Sequence, residues 1–344
     1  MIKRCLSQDP DERFQTARDL KYNLRLAMEQ PAATAKPARW YWIAMAAAIV
    51  LAALAGWVLR SPKSPSEAPV VRFAVNPPEG GQFDSASLAV SPDGRTLVFV
   101  ATVQGKRGLW IRPLDGTASR LLPGTDGASL PFWSPDSRSI AYFAGTKLWR
   151  VDVAGGAPMA ICDSGQGRGG TWSDDGAIVF ASVGGGGLRR VPAAGGTPAA
   201  LTVPDAAQGE PFHYWPQFLS RGRLLYWVRS SKEERTGVYA STLDQPEKRI
   251  RLIAGPNQAV YAAGYLLWLR GSTLVAQRFD PDRLQLSGEP HPVADPVGGT
   301  VVGQMTLAAS LGGVLFYGSA AANGQLTWFD KEGKRLGTLG EPGA

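Results

Sequence analysis

The sequence predicts an all-β fold, a β-propeller of about six four-stranded blades, preceded by a short helical segment and one membrane-spanning helix. Three observations predict it. A turn-and-strand motif recurs as "SPDGRTLVFVA" from Ser91, "SPDSRSIAYFA" from Ser134 and "SDDGAIVFAS" from Ser173, at spacings of 43 and 39 residues. Weaker copies follow as "LSRGRLLYWVR" from Leu219, "AAGYLLWLRGS" from Ala262 and "ASLGGVLFYGS" from Ala309. The composition is turn-rich, with 41 Gly and 26 Pro among 344 residues, and a period near 40 leaves room for four short strands per unit.

The second repeat shows how one unit is built. "PFW" is an inner strand, and "SPDSR" is a turn in which Ser and Asp side chains bond local backbone donors while Pro sets φ. "SIAYFA" is a buried strand. "KLWRVDVAGG" alternates as a third strand and ends in a Gly turn, and "APMAICD" supplies the outer strand. The recurring turn residues are Ser91, Pro92, Asp93 and Gly94, then Ser134, Pro135 and Asp136, then Ser173, Asp175 and Gly176. A residue that returns in every strong repeat serves the turn and not catalysis. "VVRFAV", Val70 to Val75, reads as an extra strand that could complete the last blade. The chain ends at "WFDKEGKRLGTLGEPGA", where a further repeat would begin. Six closed blades and a larger array cut off at Ala344 are both open.

These repeats resemble the WD-repeat-like motif of the periplasmic Tol-system propeller family, the TolB-like propellers. The resemblance covers roughly residues 70 to 340. It is strong in the first three repeats and weak in the last three, where the S-P-D-G turn has decayed. It implies a fold more than a function.

The N-terminal stretch reads differently. Ile2, Cys5 and Leu6 share one helical face, and Asp9-Pro10 breaks that helix. Thr16 to Asp19 reads as a capping box before an amphipathic helix with Ala17, Leu20, Leu24, Ala27 and Met28 on one face. "CLSQDPDERFQTARDL" resembles the C-terminal end of the serine/threonine protein kinase domain found in bacterial transmembrane kinases. The resemblance implies that Arg13 is the structural arginine that pairs with the Glu of A-P-E in that family. The V-A-I-K, H-R-D and D-F-G elements that hold ATP, base and metal do not occur in this sequence. The resemblance therefore implies the end of a kinase domain whose catalytic part would lie upstream.

Between the two lies "WYWIAMAAAIVLAALAGWVL", Trp40 to Leu59, without a charge. Twenty residues at about 1.5 Å each cover a hydrocarbon core of roughly 30 Å. Trp40, Tyr41, Trp42 and Trp57 mark its interfaces. Ala53-Leu54-Ala55 resembles a signal-peptidase site, but the preceding region is far longer than that of a signal peptide. Lys21, Arg25, Lys36 and Arg39 on one side, against Arg60, Lys63 and Arg72 on the other, point to a cytoplasmic N-terminus. The expected plan is then a kinase-domain end at 1–28, a linker at 29–39, a transmembrane helix at 40–59, a Pro-rich spacer at 60–69 and the propeller at 70–344. It places the chain in the inner membrane with its propeller on the periplasmic side.

Other chemistry is weighed against this plan. The net charge of +7 is spread along the chain, which excludes a phosphate-binding stripe and nucleic acid as partner. Cys5 and Cys162 fall on opposite sides of the span and form no structural disulfide. "GQGRGG", Gly165 to Gly170, reads as an inter-blade loop and not a nucleotide loop, and Gly184 to Gly187 as a hairpin loop. His213 and His291, the two histidines, have no zinc-site spacing, and His213 in "PFHYWPQF" reads as packing. There is no G-x-S-x-G elbow. "SSKEERTG", Ser230 to Gly237, reads as a solvated hairpin tip. No catalytic, cofactor or metal residue is expected. The expected function is a non-catalytic, membrane-anchored propeller that binds an extracytoplasmic protein or small ligand for a serine/threonine kinase. The alternative is a membrane-anchored envelope scaffold of the Tol-system kind without kinase function.

Overall fold

The computed structural model describes residues 9, 11, 16–29, 45–51, 72–184 and 186–318, and the backbone of 324–329 and 335–343. It divides into two compact units, Met1–Ala74 and Val75–Ala344.

In the first unit, helix α1 spans Ala17–Glu29. Thr16 caps it: its hydroxyl oxygen accepts the Asp19 N–H at 3.2 Å and its proton goes to Asp19 Oδ2 at 2.8 Å. The Asp19 carboxylate thus takes the Thr16 hydroxyl, where a capping box would have it reach the N-cap backbone. Leu24 and Met28, on the expected apolar face, are exposed. Residues 45–51 are helical, while the rest of the expected span at 40–59, and Arg13, lie outside the described residues. Among the described residues no helix is long and apolar enough to cross a membrane.

In the second unit, four-stranded antiparallel sheets follow one another along the chain. Blade one comprises β1 (Gly81–Val90), β2 (Thr96–Val103), β3 (Lys106–Pro113) and β4 (Arg120–Leu121). Blade two comprises β5 (Ser129–Trp133), β6 (Ser139–Ala144), β7 (Lys147–Asp152) and β8 (Met159–Asp163). Blade three has β9 (Gly167–Trp172), β10 (Ala177–Ser182), β11 (Arg189–Pro192) and β12 (Ala199–Ala200). Blade four has β13 (Phe212–Phe218), β14 (Arg223–Arg229), β15 (Gly237–Thr242) and β16 (Ile250–Ala254). Blade five has β17 (Val260–Ala262), β18 (Tyr265–Arg270), β19 (Thr273–Asp280) and β20 (Gln285–Ala294). In each blade the strands pair in chain order. This is a β-propeller.

The second strand of each blade explains why the repeats read as apolar runs. It lies between two neighbouring blades, so both its faces are covered. In β2, Val98 and Val100 join a core with Ile140, Tyr142 and Val151 of blade two. Leu97, Phe99 and Ala101, the alternate residues, face the other way. In β6, Ala141 and Phe143 turn to Ile178 and Phe180 of blade three, and Val179 and Ala181 of β10 turn to blade four. Tyr142 and Phe180 are fully buried, and such a side chain contributes about 2–3 kcal/mol.

Among the described residues the four-stranded blades number five and not six. The sixth repeat forms a two-stranded sheet of β21 (Leu307–Ala309) and β22 (Leu315–Tyr317). A separate hairpin of β23 (Gly324–Phe329) and β24 (Arg335–Gly343) follows. The sixth turn has lost the aspartate and reads Ser310-Leu311-Gly312-Gly313, and its strands are only three residues long. The small sheet still occupies the gap between blades five and one. Leu307 and Leu315 pack with Leu267, Leu269 and Leu274, and Phe316 packs on the Leu97, Phe99 and Ala101 face of blade one.

"VVRFAV" does not supply a closing strand in its described part. Residues 72–77 pair with no strand, and Val75 instead packs on the same Leu97–Phe99 face. Pro77 and Pro78 follow at once and cannot donate to a ladder. "GQGRGG" is also corrected: Gly167 to Gly170 lie in the inner strand β9 and not in a loop. Aromatic rings lie against these glycines: Phe143 and Phe132 of blade two on Gly167 and Gly170, and Trp215 of blade four on Gly169. A Cβ on Gly167 would meet the Phe143 ring at 2.4 Å.

Candidate functional site: the axial cavity

The repeat turns set the inner strands. Ser91 Oγ donates to Asp93 Oδ1 at 2.5 Å and accepts the Thr96 N–H at 2.9 Å, while Asp93 Oδ1 accepts the Arg95 N–H at 3.0 Å. Ser134, Asp136, Arg138 and Ser139 repeat this at 2.6, 3.1 and 2.8 Å. Ser173 donates to Asp175, and Ala177 N–H reaches both at 3.1 and 3.3 Å. Gly94 and Gly176 adopt φ of 71° and 79°, the left-handed conformation the turn needs. The serine hydroxyls hold the carboxyls of Asp93, Asp136 and Asp175 below the usual carboxylate range. All three carboxylates are taken up by their own turns.

A second recurring device lies four residues before three of the turns. Leu130, Gly169 and Trp215 have φ of 48°, 89° and 55°, and the ladder register shifts there. These β-bulges kink the inner strands, and left-handed Leu and Trp are strained positions of the kind found at ligand sites. "LP", "GG" and "WP" at one repeat position were a legible signal that pattern reading passed over.

Side chains then stitch one inner strand to the next, about one period apart. Trp133 Nε1 donates to the Ala89 carbonyl at 3.1 Å. Phe218 N–H donates to Thr171 Oγ1 at 3.0 Å. Gln217 spans blades four and five twice, donating to the Tyr261 carbonyl at 2.9 Å and accepting the Tyr261 N–H at 2.8 Å. Trp215 Nε1 reaches farther, donating at 2.9 Å to the carbonyl of Val302, which lies 87 residues on and outside the inner strands.

The strands so held surround a cavity of about 1120 Å³. It is lined by the ends of the inner strands and the turns that follow them. Aliphatic residues and prolines make up most of the lining, and the half-buried Trp172, Phe218 and Tyr261 lie among them. Charge is sparse: Asp174, Asp175 and Arg221 lie among the turns, and Asp175 is already paired with Arg190 at 3.1 Å. Among the described residues no group of His, Cys, Asp and Glu could hold a metal. The cavity offers apolar surface beside hydroxyl and amide side chains such as Thr171, Gln217 and Gln258, which suits binding.

Other expected features fall elsewhere. Gly184 and Gly187 flank the β10–β11 hairpin connection. His291 stacks edge-on with Tyr265, at 5.7 Å between ring centroids, on the exposed outer strand β20. Cys162 is a half-buried free thiol, pushed up to about 11 by burial. Ser230 to Gly237 is more than a solvated tip. Its Arg235 Nε reaches the fully buried Glu210 at 2.6 Å, and Lys232 Nζ reaches Gln208 at 3.0 Å. His213 is buried and hydrogen-bonded, so it is more than packing. No periodic signal marks Glu210 or Arg249, because they come from irregular connections.

No family model matches the chain, and no curated protein matches it. Many solved structures align with this chain. They include TolB from Acinetobacter baumannii, at 15% identity over 60% of this chain and 54% of that one, with a TM-score of 0.49. Another is a putative TolB from Agrobacterium tumefaciens, at 17% identity over 67% and 88%, also with a TM-score of 0.49. An oligogalacturonate lyase from Vibrio parahaemolyticus aligns at 12% identity over 63% and 68%, with a TM-score of 0.46. The chain spans about half the length of the Acinetobacter protein. The likeness is one of fold alone.

Proposed function

We propose that this chain is a non-catalytic binding module, a propeller anchored by the Trp40–Leu59 segment in the inner membrane and exposed to the periplasm. It would take a protein or small ligand in its axial cavity and serve as the sensing segment of a serine/threonine kinase. The observation that carries the binding reading is a largely apolar cavity with few charged residues, in which Asp175 is already engaged by Ser173 and Arg190. The kinase connection rests on "CLSQDPDERFQTARDL", and the membrane anchor on the uncharged run that follows it.

Topology tests this reading. In intact cells with a permeabilised outer membrane, an impermeant protease should remove the propeller and spare the N-terminal helix. Full protection of the propeller would reverse the orientation. An in-frame kinase domain encoded upstream of Met1 supports the sensor reading. A genuine start at Met1 supports the envelope scaffold instead.

A further inference from the structure

We propose that Glu210, Arg249 and His213 form an acid-operated latch on the seam between blades three and four. Protonating His213 frees the 205–210 connection and opens that seam while the other blades stay closed.

Glu210 ends the connection from β12 to β13 and has no solvent exposure. Two guanidinium groups from blade four hold it: Arg235 from the β14–β15 hairpin and Arg249 from just before β16. Arg249 also lies over the Tyr239 ring, 4.9 Å from its centroid. Its Nη1 points at His213 Nε2 at 3.2 Å. A guanidinium only donates, so Nε2 must be the acceptor and Nδ1 carries the proton. Nδ1 then donates to Thr202 Oγ1 at 2.8 Å, an oxygen that also accepts the Leu188 N–H of blade three at 2.8 Å. One neutral imidazole therefore joins the two blades.

A second proton would sit on Nε2, facing Arg249. The groups around His213 are Glu210 from the connection, Arg249 from before β16, Tyr226 from β14 and Thr202 from after β12. Arg235 and Tyr239 lie one contact further out. Burial first, and Arg249 second, push His213 down to about 4, against the opposing pull of Glu210. An imidazole freed by opening returns to its ordinary value near 6.5. The sign follows: the closed seam keeps its full stabilisation above about 6.5 and loses it as pH falls towards 4. Glu210 is buried, but its two arginines hold its carboxyl below the usual range, so it stays charged through this window. The buried clusters on either side of blade two are apolar apart from Tyr142 and Cys162, which burial pushes up to about 12 and about 11, far above this window. That difference makes the opening local.

Hydrogen exchange of the full chain in detergent, corrected for intrinsic rates, tests the latch. The open fraction of segment 201–216 should rise about thirtyfold between pH 7.5 and pH 5. Segment 139–152 of blade two should stay unchanged. His213→Gln can still accept from Arg249 and donate to Thr202 but cannot titrate, so it should abolish the step. Retention of the step in that variant would overturn the proposal. If the variant does not fold, the wild type still decides. Loss of protection in both segments together, or in neither, overturns the latch. So does an imidazole NMR titration in which the buried histidine charges while 201–216 stays protected.

Discussion

The ring of Phe132 lies against Gly170 in the next blade: a Cβ built on Gly170 would meet it at 2.3 Å. Phe143 and Gly167 repeat the relationship one layer away. Backbone of one inner strand thus forms the wall on which aromatic residues of the preceding blade pack.

Gly170→Ala should therefore lower stability by about 1–3 kcal/mol, because the Phe132 ring must shift to admit a Cβ at 2.3 Å. Gly127→Ala meets nothing nearby and should lose only the roughly 1 kcal/mol of a left-handed backbone, φ being 69°. Urea midpoints of the two variants check this. Equal midpoints would mean that the blades are not in tight contact.

The same glycines show what the sequence made legible. The S-P-D-G turns and the apolar second strands were readable, because a turn needs fixed residue types and a strand covered on both faces needs an apolar run. The number of complete blades was not, since "ASLGGVLFYGS" keeps the apolar pattern yet builds only the β21–β22 pair. "GQGRGG" looked like a loop because glycine reads locally as a breaker. Its cause is the rings of Phe132 and Phe143 in the neighbouring blade, which no local window contains. Glu210, Arg235 and Arg249 meet only through tertiary structure.

The turn serines should matter in proportion to their bonds. Ser134→Ala removes a buried hydroxyl that donates to Asp136 and accepts from Ser139, and should lower stability by about 1–2 kcal/mol. Ser310→Ala removes a hydroxyl that accepts from Val314 at 3.1 Å, without a carboxylate partner, and should have the smaller effect. A larger loss at Ser310 would show that the sixth repeat depends on its turn more than the second does.

Cys162 should behave as a protected thiol. Burial lifts it from 9.0 to about 11, so its thiolate fraction at pH 8 falls roughly a hundredfold below that of a free thiol. Alkylation by iodoacetamide, followed by peptide mass spectrometry, should be slow in buffer and fast in urea. Equal rates would place Cys162 in open solvent.

The purified chain should transfer no phosphate from ATP to itself or to a generic substrate. None of the phosphate- and metal-holding kinase motifs is in its sequence. Transfer above background by the purified protein would contradict a purely binding role.

The most direct measurement places a photoreactive benzoyl-phenylalanine at Trp172 or Tyr261 in the axial cavity, and at Val203, 84% exposed outside the cavity lining. Irradiated in cells with the full chain in its membrane, the two axial positions should cross-link to a common periplasmic molecule and Val203 should not. A cross-link at Val203 with none at Trp172 or Tyr261 would contradict binding through the axis.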